Sequence, residues 1–149
     1  MRKFLLFTLL AMVFITACAK LPDQVRQAKA FSDKGYIVQD NLKYEIKEYN
    51  FGRVLGTEVV ETGTYYNVRA EISNVGQKKD KIPFDKIELE AANVKLKPDA
   101  NLIKKANQKE FLDKEIAPGE KVEGWFVFPT TKMPTSVKLH IKESVIEIQ

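Results

Sequence analysis

From Tyr65 to Ile72 the chain reads YYNVRAEI, with Tyr66, Val68, Ala70 and Ile72 at every second position and Asn67, Arg69 and Glu71 between them. Successive side chains of a pleated strand point to opposite faces, so this alternation puts the apolar set on one side. Turn formers close the run at Ser73-Asn74-Val75-Gly76. A chain committed to period two here must pair this strand with others and bury one face.

The same pattern recurs along the sequence. Leu42, Tyr44 and Ile46 alternate with Lys43, Glu45 and Lys47; parity slips after Glu48, where Tyr49 and Phe51 take over. That slip predicts a bulge or a strand end near Glu48. Ile87 and Leu89 alternate with Glu88 and Glu90, and the phase shifts to Val94 and Leu96, giving one or two short strands. Val122 to Phe128 is apolar on both faces near its middle, which suits a central strand, and Pro129 ends it. Ala117-Pro118-Gly119-Glu120 reads as a type II turn, with Pro presetting the second position and Gly accepting positive φ at the third. Val137, Leu139 and Ile141 supply the closing strand. Residues 98–109 interrupt the pattern as a loop with room for one helical turn around Leu102 and Ala106. About seven short strands with no long helical period predict an all-β, antiparallel β-sandwich. A length of 149 residues suits one domain.

The amino-terminal segment follows a different logic. Arg2 and Lys3 precede an uncharged, mostly apolar stretch from Phe4 to Ala17. It is too short for a membrane span, which needs about twenty residues, and right for the core of a secretion signal. The segment ends in Ile15-Thr16-Ala17-Cys18, which resembles the bacterial lipobox: an aliphatic residue, two small residues, then Cys. The resemblance implies cleavage between Ala17 and Cys18 and acylation of the Cys18 thiol. Two or three acyl chains anchor a protein stably. Cys18 is the only cysteine, so no disulfide can form within the chain. The expected organisation is a signal peptide at 1–17, a lipidated Cys and tether at 18–40, and the sandwich at 41–149. Within the tether, Pro22 and Asp23 could open a short helix ending before Gly35; a plain linker fits equally. Localisation would be the cell envelope. Ala rather than Asp follows Cys18, which would favour the outer membrane in an organism that has one.

Three further pieces stand together: Gly63-x-Tyr65-Tyr66-x-Val68-x-x-x-Ile72-x-Asn74-x-Gly76, then Ile116-Ala117-Pro118-Gly119-Glu120-x-Val122-x-Gly124-x-Phe126-x-Phe128, then the strand at 137–142. Together they resemble the telokin-like, immunoglobulin-like domain of many bacterial lipoproteins, over roughly Leu42 to Lys142. The resemblance implies a seven-stranded immunoglobulin-like sandwich at the envelope. It supplies no catalytic residues, because the function of that family is largely uncharacterised.

Chemistry is sparse elsewhere in the sequence. The single Cys is assigned to lipid, and His140 is the lone imidazole, on the polar face of the last predicted strand. No serine lies in a nucleophile-elbow setting, zinc would need several His or Cys ligands, and no calcium loop is present. No metal, cofactor or enzymatic activity is therefore expected. The formal charge of +4 falls to +2 once Arg2 and Lys3 leave, so nucleic acid is disfavoured as a partner. Residues 77–114 hold ten Lys against seven acidic residues. Lys78, Lys79, Lys81, Lys104, Lys105 and Lys109 could form a basic edge facing an anionic envelope polymer. Tyr65 and Trp125 could lie on the outer face of a sheet shared by their strands, as an aromatic binding patch. The expected function is non-catalytic binding of a protein or surface polymer by a membrane-anchored lipoprotein. The alternative is an accessory subunit of an envelope assembly.

Overall fold

The computed structural model describes residues 25–30, 35–107, 110–133 and 135–148. In chain order the elements are β1 (Val25–Ala30), β2 (Tyr36–Gln39), β3 (Leu42–Gly52), β4 (Val54–Leu55), β5 (Glu58–Val59), β6 (Tyr65–Asn74), β7 (Asp80–Lys81), β8 (Ile87–Ala91), β9 (Val94–Leu96), α1 (Ala100–Ala106), α2 (Glu110–Asp113), β10 (Glu115–Ile116), β11 (Lys121–Pro129), β12 (Val137–Ile141) and β13 (Ser144–Ile148).

Two antiparallel sheets form the sandwich. In the first, β3 pairs with β6 and β6 with β11, while β1 and β2 both pair along the far side of β3. The second runs β13-β12-β8-β9. The chain crosses between sheets from β6 to β8, from β9 to β11 and from β11 to β12. The pairings β3–β6–β11 and β8–β12–β13 are those of strands A-B-E and C-F-G in an immunoglobulin-like sandwich. The remaining strand, β9, joins β8 rather than β11.

The core lies where the alternating faces meet. Leu42, Tyr44, Ile46, Val68, Ala70, Ile72, Phe126 and Phe128 from the first sheet are buried with Ile87, Leu89, Val137, Leu139 and Ile141 from the second. Each large side chain fully removed from water contributes about 1.5–3 kcal/mol. The parity slip in β3 is a bulge: the register shifts between Ile46 and Glu48. Beyond it, Tyr49 and Phe51 turn toward Val68 and Tyr66, and Tyr49 stacks on Tyr66 at 5.6 Å between ring centroids. Asn50 is thereby sent to the outer face, opposite Asn67. The 117–120 turn forms as expected, with Gly119 at φ 78° and the Glu120 amide donating to Ala117 O at 2.9 Å.

Three segments depart from the sequence reading. Residues 25–30 and 36–39, expected as tether or a short helix, are strands of the first sheet. β3 offers them an unpaired edge, and backbone groups beside it are satisfied by joining the ladder. The third is β13, an additional strand after the one expected to close the fold. β11 forms as expected but ends the first sheet instead of lying at its centre; its second apolar face is covered by α1 and the 54–56 segment.

Candidate binding surfaces

Ala17 and Cys18, where signal cleavage and acylation are expected, lie outside the described residues, as does Lys109. The other lysines sit on two separate elements. Lys78 and Lys79 are exposed in the loop after β6, and Lys81 is on β7. Asn74 holds this loop by donating through Nδ2 to Lys78 O and Ile116 O, both at 2.7 Å. Lys104 and Lys105 occupy the last turn of α1. Carboxylates are interleaved with both groups. Lys81 is 3.7 Å from Glu115, Lys104 is 3.9 Å from Asp113, and Lys114 is 2.7 Å from Glu120. The hydrogen bond from Lys114 holds the Glu120 carboxyl below its ordinary range, helped by the Ala117 amide and the charge of Lys79. The expected basic edge is a surface of mixed sign.

The aromatic pair requires a correction. Tyr65 and Trp125 do lie on the outer face of the first sheet, opposite Pro129 and Arg69 respectively. Trp125, however, is only 6% exposed and offers no binding surface. Its cover comes from the 54–56 segment and α1: a Cβ on Gly56 would lie 3.2 Å from the indole Cδ1 and 3.4 Å from Ala106 Cβ. Two buried asparagines fix that segment. Asn67 Nδ2 donates to Asn50 Oδ1 at 2.7 Å and to Val54 O at 2.8 Å, and its Oδ1 accepts from the Gly56 amide at 3.1 Å. Asn50 Nδ2 donates to Gly56 O at 2.9 Å. Arg69 stands 5.9 Å from the Trp125 ring centroid and bonds Glu48 and Glu123 at 2.6 and 2.7 Å. Tyr65 is half-buried, its hydroxyl donating to Thr62 O at 3.3 Å.

The helical segment also seals the outer edge of β11. The Trp125 amide donates to Asn107 Oδ1 at 2.6 Å, and Asn107 Nδ2 donates back to Trp125 O at 2.8 Å. The Asp99 amide donates to Val127 O at 3.0 Å. One side-chain amide thus imitates a neighbouring strand where β11 would otherwise end the sheet. Asp99 caps α1, its Oδ1 accepting from the Asn101 and Leu102 amides at 2.8 and 2.9 Å.

His140 is less solvated than its sequence position implies. Its Nε2 lies 2.7 Å from Glu90 Oε2, and its side chain is 17% exposed. The neighbouring Glu88 is held below the ordinary carboxylate range, chiefly by the hydrogen bond from Lys95. Among the described residues, no group of three or more His, Cys, Asp or Glu is placed to hold a metal ion.

One concavity was not foreseen from sequence. A groove of about 500 Å³ opens between β9 and the chain following β11, lined by Ala91, Val94, Leu96, Pro129, Thr131 and Met133 among others. Val94 and Met133, at its mouth, are 56% and 48% exposed. Threonine hydroxyls and Lys132 are its polar side chains. Only tertiary structure brings β9 beside residues 129–135, so no local motif could announce the groove.

No protein-family model matches the chain, and no curated protein does. The fold is shared with solved structures. A conserved hypothetical protein from Bacillus anthracis superposes with a TM-score of 0.61 at 17% identity, over 83% of this chain and 99% of that one. A functionally unknown protein from Listeria monocytogenes EGD-e gives 0.58 at 14% identity, over 77% of this chain and 73% of its own. At these identities the likeness is one of fold.

Proposed function

We propose that this chain is a lipoprotein of the bacterial cell envelope, tethered through acylated Cys18, whose immunoglobulin-like domain acts by binding and not by catalysis. The observation that carries this reading is Ile15-Thr16-Ala17-Cys18 placed directly after the uncharged Phe4–Ala17 stretch. Small residues at 16 and 17 suit an extended backbone in a signal peptidase, and the thiol is the nucleophile that takes up lipid. The domain's surface supports the binding half. Its groove carries apolar side chains and threonine hydroxyls, which suit recognition more than bond-making. The lysines alternate with carboxylates, which favours a protein partner of mixed charge over a uniformly anionic polymer.

The test is Cys18→Ser in the full-length chain expressed in a bacterial host. The variant should move from the membrane fraction to the soluble envelope fraction and lose incorporation of labelled fatty acid. Unchanged membrane association with no acyl label in either form would overturn the reading.

A further inference from the structure

The groove and the amino-terminal entry of the domain lie at the same end. Val25 pairs with Gly52, Gly52 with Tyr65 and Tyr65 with Pro129, so four backbone positions form one row across the first sheet. Pro129 lines the groove. Three strand spacings of about 4.8 Å put Val25 about 14 Å from Pro129. Six residues lie between Cys18 and Val25, and the seven Cα steps that join them reach at most about 25 Å. A lipid on Cys18 therefore holds this end of the sandwich close to a bilayer.

The second sheet presents the same end. Val137 pairs with Ala91 and with Ile148, and residues 130–136 bridge from Pro129 to Val137. Here Val94 and Met133 stand 56% and 48% exposed beside the groove. The opposite end, after Asn74, carries exposed Val75 with Lys78 and Lys79 and faces away from the tether.

We infer that the groove end docks on the phospholipid bilayer, with Met133 and Val94 seated in its interfacial layer. The inference rests on the lipoprotein reading above. The bilayer is a better occupant than the chain's own acyl group, because an acyl chain already in hydrocarbon gains little by moving into a groove of similar polarity. The acyl chains on Cys18 already anchor the protein stably, so the apolar rim is not needed for attachment; with a short tether it sets which end of the domain meets the bilayer. The contact fixes how the domain stands, presenting the far end to other envelope components.

The test uses full-length acylated protein in vesicles of phosphatidylethanolamine and phosphatidylglycerol. An environment-sensitive fluorophore is placed at Met133→Cys in one sample and at Val75→Cys in another. The label at 133 should shift to the blue on vesicles and lose several-fold of its quenching by aqueous iodide, while the label at 75 stays fully quenched. Because the docking contact is apolar, high salt should leave that protection in place. Equal quenching of both labels on protein that floats with the vesicles overturns the docking alone. Protein that carries no acyl group and fails to float overturns the lipoprotein reading and the docking together. Should a labelled variant misfold, amide exchange of the unsubstituted acylated protein decides: slowing at 92–97 and 130–133 on vesicles relative to detergent supports docking, and no slowing there overturns it.

Discussion

β11 and β9 are both edge strands that border the groove, and they handle exposure in different ways. β11 is nine residues long and strongly apolar. Its edge is closed by Asn107 and the Asp99 amide, and its outer face by the 54–56 segment and α1. β9 has three residues and, among the described elements, pairs with β8 alone. Short length, with Lys95 inside the strand and Lys97 just after it, discourages further strand pairing there. A long apolar edge needs a built cover, whereas a short edge can stay open and keep its side chains available. The covered edge contributes stability; the open one leaves a surface.

The largest expected effect tests that division. Trp125→Ala should destabilise the domain by about 3–5 kcal/mol, as large-to-small changes at buried aromatics do. Met133→Ala should change stability by no more than about 0.5 kcal/mol, as exposed sites do. Urea unfolding of both variants gives the comparison, and similar losses would erase it.

The next effect probes how tightly the cover fits. A Cβ on Gly124 would lie 2.4 Å from the Phe111 ring, so Gly124→Ala should cost about 1–3 kcal/mol through overpacking. A thermal melt indistinguishable from wild type would mean that α2 is loosely held. Asn107→Ala removes the mimic of a neighbouring strand and should cost about 1–2 kcal/mol. Hydrogen exchange at the Trp125 amide should accelerate in that variant; unchanged exchange would show that the clamp is dispensable.

At the open edge the expected changes are smaller. The β8–β9 turn places Ala92 at φ 48° and Asn93 at φ 66°, the left-handed conformation of a type I′ hairpin. Ala92→Gly should relieve steric cost and stabilise by about 1 kcal/mol. A lower urea midpoint would contradict the turn geometry. The smallest effect is electrostatic. Lys95 lowers the Glu88 pKa in the folded state, so the pair's contribution is present above the ordinary carboxylate value. It fades as pH falls through the lowered one. Wild type should lose stability relative to Glu88→Gln over that acidic window; parallel pH profiles would show the pair contributes nothing.

Much of the sandwich was legible because alternation and turn chemistry are local. The slip at Glu48 announced the bulge, and Pro118-Gly119 announced the turn. β13 escaped because Val145 is apolar yet 49% exposed, which blurs the alternation of Ile146 and Ile148. β1 and β2 escaped because their pairing depends on the vacant side of β3, which no local pattern reports. Trp125 was placed on the correct face, but its cover comes from residues 54–56 and 100–107, distant in sequence. The lysines were visible as a run, whereas Glu115 came beside Lys81 only through β7–β10 pairing and Asp113 beside Lys104 only through helix packing.

Intact-mass analysis of the chain extracted from its native membranes bears most directly on how the open edge is used. A tethered lipoprotein predicts an amino terminus at Cys18 carrying a diacylglyceryl group, with residues 1–17 gone. A species that retains Met1 to Ala17 and an unmodified thiol would contradict it.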